Sequence, residues 1–195
     1  GADVVVLDGM QGGTAATQDV FIEHVGQPIL ACIPQAVKAL QDLGMHRKVQ
    51  LIVSGGIRSG ADVAKAMALG ADAVAIGTAA LIALGDNDPA LEEEYQKLQT
   101  TAGAYDDWHE GKDPAGITTQ DPELFKRFDP VLGGRRLKNY LKVMTLEAQT
   151  IARACGKNHL HNLEPEDLVS LTIEAAAMAG VPLAGTNWIP GRGGF

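Results

Sequence analysis

The chain of 195 residues carries 16 Lys and Arg against 24 Asp and Glu, which gives a formal net charge of −8. Hydrophobic residues make up 46% of the chain and charged residues 21%, a composition that supports a buried core and is not that of a disordered protein. The acidic balance argues against a nucleic-acid partner held by bulk charge, and no apolar run is long enough to predict a membrane span.

Four apolar runs predict strands in the first 85 residues, at residues 4–7, 28–32, 49–53 and 73–76. Helical patterns separate them, around residues 18–25, 34–43 and 61–69. Such a regular alternation predicts a parallel sheet, either an open doubly wound sheet or part of a (β/α)8 barrel. Four units of about 23 residues each correspond to half of such a barrel.

After residue 85 the predicted elements are helices and loops. Helices are predicted over residues 91–98, 137–154 and 168–179, with an irregular stretch over 100–120 and a loop after 185. The chain therefore divides into three predicted segments: βα units over residues 1–85, an insertion over residues 86–130 and a helical extension with its tail over residues 131–195.

Two glycine-containing segments follow consecutive predicted strands. They contain Ser54, Gly55, Gly56 and Arg58 after one strand, and Gly77 and Thr78 after the next. Glycines at such strand ends leave backbone N–H groups accessible to an anion, and barrels bind phosphate in their last two loops of this kind. Arg58 would add a charged contact. The ordered pair predicts a phosphate site, and the alternative is that the glycines only turn the chain.

These segments resemble the FMN-binding barrel of the glutamate synthase family. The resemblance rests on Ser-Gly-Gly-Ile-Arg at 54–58, Gly-Thr-Ala-Ala-Leu at 77–81, Asp-Gly-Met-Gln-Gly-Gly-Thr at 8–14 and Ile-Thr-Thr-Gln-Asp-Pro-Glu-Leu at 117–124. It covers most of residues 1–150 in the family's order. It implies an α/β fold in which residues 1–85 form the C-terminal half of a (β/α)8 barrel. The tail resembles the stand-alone FMN subunits of this family.

The resemblance also implies roles for these loops. FMN would be held by Ser54, Gly55, Gly56, Arg58, Gly77 and Thr78. A glutamate-type substrate or 2-iminoglutarate would lie near Gln11, Gly12, Gly13 and Thr14. Ser54 stands where related flavin barrels often have Asp. The catalytic residues stay unassigned, because the family's substrate lysine precedes the segments found in this sequence.

The stretch after residue 85 departs from the family pattern. Glutamate synthases hold an iron–sulfur cluster there through three cysteines, whereas residues 85–120 contain no cysteine. Because thiolates hold such clusters, we expect no iron–sulfur cluster. A divalent metal on Asp106, Asp107, His109 and Asp113 is the alternative to a solvated loop. We favour the loop and predict no metal.

The missing cysteines suggest a reaction. Exchange of the amine on glutamate is redox-neutral, so it needs no external electrons, and methylamine as the incoming amine gives N-methylglutamate and ammonia. The alternatives are an electron-fed glutamate synthase, an IMP dehydrogenase-like barrel and a non-catalytic scaffold that binds phosphate. The IMP dehydrogenase-like barrel requires a nucleophilic cysteine, and Cys32 lacks that family's surrounding motif.

Half of a barrel would leave two sheet edges and an apolar face uncovered. We therefore expect self-association, pairing with the missing N-terminal half-barrel, or a longer chain of which this sequence is a part. The resemblance further implies amidotransferase-type partner subunits.

The two cysteines are too few for a disulfide framework and favour a reducing, cytoplasmic location. Cys32 is expected to be a small buried residue within a strand. Cys155, His159 and His161 have metal-ligand residue types without a fourth partner at a recognisable spacing. A structural role is the favoured interpretation of these three residues.

Overall fold

A computed structural model of the chain describes residues 1–12, 19–86, 88–98 and 111–192. The chain divides into two units. Unit 1 comprises Gly1–Gly12, Gly26–Ala75 and Met144–Phe195, and unit 2 comprises Gly13–Val25 and Ile76–Val143. The fold is mixed α/β, as the sequence predicts.

Unit 1 contains a parallel sheet of three strands. These are β1 (Val4–Asp8), β2 (Gln50–Ser54) and β3 (Ala73–Val74), in the order β1-β2-β3. Asp8 lies opposite Ser54, and Val53 lies opposite Val74. The predicted parallel sheet is confirmed at three of its four expected strand positions.

The prediction of a fourth strand at residues 28–32 is wrong, because helix α2 (Ile29–Asp42) begins there. Pro34 suggested a helix that starts at the proline, yet the structure accommodates this proline inside the helix. The Gln11 side chain accepts a hydrogen bond of 3.0 Å from the Ile29 N–H and so caps the earlier start. Cys32 is consequently a half-buried helical residue and not a strand residue.

The two longer strands differ in burial. Leu51 and Val53 of β2 are 1% and 0% exposed, whereas Val4 and Val6 of β1 are 46% and 63% exposed. β1 has a neighbour on one side only, because it forms an edge of the sheet. An apolar run of this kind predicts a strand covered on both faces, and in this chain β1 is not covered.

The other helices, in chain order, are α1 (Asp19–His24), α3 (Gly60–Ala68), α4 (Thr78–Leu84), α5 (Glu92–Lys97), α6 (Pro122–Phe125), α7 (Pro130–Ala154) and α8 (Ile173–Ala179). Among the described residues, none of the helices has both the length and the apolar character that crossing a membrane requires. α7 begins seven residues before the predicted position, because Asp129 accepts hydrogen bonds from the first N–H groups of the helix.

α8 begins later than predicted. Residues before it are extended, since the Ser170 N–H donates to the Pro182 carbonyl oxygen at 2.8 Å. The Thr172 side chain then caps the helix by accepting from the Ala175 N–H. Gly180 adopts the left-handed conformation (φ +66°) just after the last turn, so the helix ends at residue 179, as predicted.

The C-terminal segment contributes to the core of unit 1. Ala64 and Ala68 of α3 form a buried cluster with Ala152 of α7 and with Leu163. Cys155 packs against this cluster, which supports the structural interpretation of that residue. Small side chains on α3 and α7 allow the two helices to approach closely.

Candidate functional site

The carboxyl ends of β1 and β2 lie side by side. The Gly9 N–H donates a hydrogen bond of 3.0 Å to the Ser54 carbonyl oxygen, directly beyond the paired strand ends. The Gly12 N–H donates to the Gly9 carbonyl oxygen at 2.9 Å and closes a tight turn. The loop after β1 therefore contacts the loop after β2, at the edge where open α/β sheets bind ligands.

Glycine is required where these loops touch. Gly55 has a φ of +107°, and a Cβ added to it would lie 3.0 Å from the Gly9 carbonyl oxygen. A Cβ on Gly12 would lie 3.0 Å from the Gly55 Cα. Gly55 and Gly12 therefore serve the close approach of two backbone segments. Gly56 also has a positive φ, of +74°, and is exposed.

Three consecutive N–H groups follow β2 without an acceptor among the described residues, namely those of Gly55, Gly56 and Ile57. Gly55 and Ile57 are buried residues, and unpaired N–H groups are rare in such surroundings. Arg58 follows at once and is exposed. Successive N–H donors beside a guanidinium can bind an anion.

The next three N–H groups are satisfied by carboxylates of the chain itself. Those of Arg58 and Ser59 each donate to Asp62 at 3.0 Å, in a capping box at the start of α3. The Gly60 N–H donates to Glu147 at 2.7 Å. An anion site on this loop is thereby confined to residues 55–57, because the positive end of α3 already faces two carboxylates.

Glu147 was missed by the sequence reasoning. It lies on α7, 87 residues after Gly60, and no local pattern links the two positions. The packing of α7 on α3 brings them together. A Cβ added to Gly60 would lie 2.6 Å from both the Ala148 nitrogen and the Glu147 Cβ, so the last glycine of this loop serves helix packing.

Gly77 and Thr78 begin α4 in unit 2, and both are exposed. A Cβ added to Gly77 would meet nothing within 4 Å. Within the described ranges no side chain caps α4, so the first N–H groups of this helix are left to donate to solvent or to a ligand. Gly55, Gly56 and Arg58 belong to unit 1, so a joint role of the two segments in holding one phosphate stays a prediction.

Two of the four predicted substrate contacts are described. Gln11 uses its side-chain oxygen to cap α2, a structural role without a sequence signal. Gly12 is exposed at the turn after β1. Gly13 and Thr14 lie outside the described residues. The substrate role of this loop stays a prediction.

Unit 2 contains a buried carboxylate cluster in the region that departs from the family pattern. Asp113 is 8% exposed, and its side chain accepts hydrogen bonds of 2.7–3.0 Å from the backbone N–H groups of Ala115, Ile117 and Thr118. The Tyr95 hydroxyl lies 3.3 Å from Asp113 and 2.7 Å from Asp86. Asp113 thus organises the chain that follows it.

The predicted alternative of a metal site falls largely outside the described residues. Asp106, Asp107 and His109 lie in the range 99–110, which the structure does not describe. Among the residues that it does describe, no three His, Cys, Asp or Glu side chains converge on a point that could hold a metal ion. His159 and His161 stack with 5.0 Å between ring centroids.

The chain is therefore a mixed α/β protein with a small parallel sheet, and glycine loops follow the carboxyl ends of its two longer strands. The family model described as "Conserved region in glutamate synthase" matches residues 1–89 and 103–158. The chain therefore belongs to the glutamate synthase family. This membership confirms the family that the motifs resemble and favours it over the IMP dehydrogenase-like alternative, while the FMN-binding half-barrel stays a prediction.

Relatives carry the same family name. The chain is 87% identical over 195 residues to a glutamate synthase large subunit-like protein of Rhizobium meliloti (strain 1021). This match covers all of the chain and 44% of that protein. It is 43% identical over 162 residues to an archaeal glutamate synthase (NADPH) of Methanocaldococcus jannaschii, covering 83% of the chain and 29% of the relative.

A third relative is the archaeal-type glutamate synthase (NADPH) of Thermotoga neapolitana, 40% identical over 192 residues. That match covers 96% of this chain and 35% of the relative. The chain thus spans less than half the length of each of these three proteins.

Proposed function

We propose that the chain is the part of an FMN-dependent, glutamate synthase-like enzyme that holds the phosphate of FMN. The observation that carries this proposal is the run of N–H donors at Gly55, Gly56 and Ile57, next to the exposed Arg58. A phosphate group has enough acceptor oxygens for all of these donors and a charge that matches the guanidinium. The family resemblance assigns Gly77 and Thr78 to the same phosphate.

The remaining loop residues would position FMN and substrate. Ser54 ends β2 just before these donors and would contact the ribityl chain of the cofactor. Gln11, Gly12, Gly13 and Thr14 would lie near the glutamate-type substrate. FMN, when bound, supplies hydride transfer at the α-carbon of glutamate, and the protein supplies binding and orientation.

We further propose that the reaction is that of N-methylglutamate synthase, with this chain resembling part of its large, FMN-binding subunit. The bond between the α-carbon and the amino nitrogen of glutamate breaks and releases ammonia, and a bond to the nitrogen of methylamine forms. The hydride removed from the α-carbon is returned to it. There is no net oxidation. The absence of cysteine from residues 85–120 supports this reaction.

The names of two relatives support a second candidate, a glutamate synthase that draws electrons from NADPH. Reductive formation of glutamate requires that electron source, whereas amine exchange does not. The two candidates therefore differ in one measurable requirement, the reductant.

The exposed edge strand β1 indicates what kind of partner the chain would have. Val4, Val5 and Val6 are 46%, 42% and 63% exposed, and an open apolar edge is where a sheet pairs with further strands. We propose that the rest of a barrel covers this edge, supplied by a longer chain, by a complementary subunit or by self-association. The small share of each relative that this chain spans is consistent with that proposal.

Arg58→Ala is expected to weaken FMN binding by about 10- to 150-fold, because it removes a charge-assisted contact to phosphate worth roughly 1.5–3 kcal/mol. Flavin fluorescence measures this change as FMN is added to the chain, alone and co-expressed with the N-terminal half-barrel. Arg153→Ala removes an exposed arginine at the end of α7 and should leave binding unchanged. If FMN binds neither to the chain alone nor to the co-expressed pair, the proposal is contradicted.

Glutamate and methylamine, supplied to the FMN-loaded complex without any reductant, are expected to give N-methylglutamate and ammonia in equal amounts. Mass spectrometry of the product and an ammonia assay follow the two sides of the exchange. Product formation that requires NADPH would reject redox-neutral exchange and favour the second candidate. FMN binding would be unaffected by that outcome.

A further inference from the structure

A cavity of about 300 Å³ opens at the amino ends of β2 and β3. His46 and Arg47 precede β2, and Asp72 precedes β3, whereas the glycine loops follow the carboxyl ends of β1 and β2. All residues that line the cavity belong to unit 1. None of them belongs to the proposed FMN site.

The floor of this cavity is apolar and buried. Met67, Leu69, Ala71 and Leu163 line it, and these residues are 6%, 4%, 4% and 3% exposed. Pockets for small molecules combine mostly apolar walls with a few polar groups and have volumes of about 300–1,000 Å³. The volume at the lower end of that range selects a small ligand.

The rim carries charged groups of both signs. Arg47 forms an ion pair of 2.8 Å with Glu164 through one nitrogen of its guanidinium, which has five N–H donors in all. Across the described ranges, no other group accepts a hydrogen bond from the Arg47 side chain, and the carboxylate of Glu166 has no partner. Both signs of charge are therefore open to a ligand.

The backbone of Arg47 supports a ligand-binding role. Its φ is +63°, the one positive φ of a non-glycine residue in the part of the chain that the structure describes. A Cβ disfavours this left-handed conformation, which Gly and Asn adopt readily. Strained residues of this kind cluster at ligand sites, and here the strain places a guanidinium at the rim of the cavity.

We propose that the cavity binds a small zwitterion of the α-amino acid type with a short aliphatic side chain. The ligand's carboxylate would take the Arg47 donors that Glu164 leaves open, its ammonium would face Glu166, and its side chain would cover the apolar floor. An anion alone would leave the Glu166 carboxylate without a cation, and a cation alone would leave the open Arg47 donors without an acceptor. A molecule with both charges matches both sides of the rim.

Three matched compounds test this inference by calorimetric titration of the whole chain. L-valine carries both charges, isovalerate lacks the ammonium and isobutylamine lacks the carboxylate, while all three keep the branched aliphatic group. L-valine is expected to bind saturably and at least ten-fold more tightly than either analogue. Absence of saturable L-valine binding, or an analogue that binds as tightly, would overturn the proposal.

Two variants locate the ligand. Arg47→Asn keeps a residue that tolerates the left-handed backbone, so its unfolding temperature should equal or exceed that of the parent while L-valine binding falls at least ten-fold. Glu166→Gln should weaken L-valine but not isovalerate, and Arg153→Gln should change neither. L-valine affinity unchanged in both cavity variants would overturn the site. The FMN titration is independent, because the cavity shares no residue with that site.

Discussion

Gly60→Ala is expected to lower the free energy of unfolding by about 3 kcal/mol, at the upper end of the cost of overpacking. The added methyl group would lie 2.6 Å from the Ala148 nitrogen and from the Glu147 Cβ, and would also meet the Met144 carbonyl oxygen. These are atoms of the α7 backbone and of the root of a side chain, so none can move aside without moving the helix. Denaturant unfolding followed by circular dichroism measures the loss.

Gly134→Ala is the matched control for this substitution. Gly134 lies on α7, the helix whose atoms a Cβ at Gly60 would meet, and a Cβ added to Gly134 would meet nothing within 4 Å. Alanine in a helix interior is more stable than glycine by roughly 0.5–1 kcal/mol, so this variant should gain stability. Equal effects of the two substitutions would contradict the packing assigned to Gly60.

Asp113→Ala is expected to destabilise unit 2 by more than about 3 kcal/mol, because each buried donor left without its acceptor costs roughly 1–3 kcal/mol. Its carboxylate accepts three backbone N–H groups and lies within hydrogen-bond distance of the Tyr95 hydroxyl. Asp113→Asn keeps one acceptor oxygen and should lose less. Thermal and denaturant unfolding compare the two variants with the parent chain.

Asp129→Ala is the control for the loss of a carboxylate that accepts backbone N–H groups. Asp129 is exposed and accepts from the Val131 and Leu132 N–H groups at the start of α7. Because water replaces an exposed cap, its removal should cost only about 1 kcal/mol. A similar cost for both aspartates would show that burial of Asp113 does not matter.

The parallel sheet could be predicted because its signal is local. The β-branched apolar runs at residues 4–7 and 49–53 became β1 and β2. The run at residues 28–32 is also apolar but has one β-branched residue, Ile29. It became the start of α2, and Gln11 caps Ile29 from 18 residues away. Gly9 also leaves room for Ile29, whose Cβ would lie 2.5 Å from a Cβ at Gly9. Neither contact is visible in the run itself.

The position of the candidate phosphate loop could be predicted from the sequence. Which of its backbone N–H groups have an acceptor within the chain, and which have none among the described residues, could not. Glycines after a strand indicate where N–H groups gather. Which of them stay open depends on Asp62, a local capping partner, and on Glu147, which arrives from a distant helix. The cavity beside Arg47 was missed for the same reason, since its floor and rim come from separate parts of the chain.

The cluster of Ala64, Ala68, Ala152 and Leu163 limits where the chain can be shortened or joined to a relative. A shortened chain that ends after β3 would keep all three described strands of the sheet and lose half of this cluster. It would also leave the Gly60 N–H without Glu147. The C-terminal helices are therefore not a module that can be exchanged between relatives or deleted by itself. In a chimera between relatives, α3 and the segment from Met144 onward should therefore be taken from the same protein.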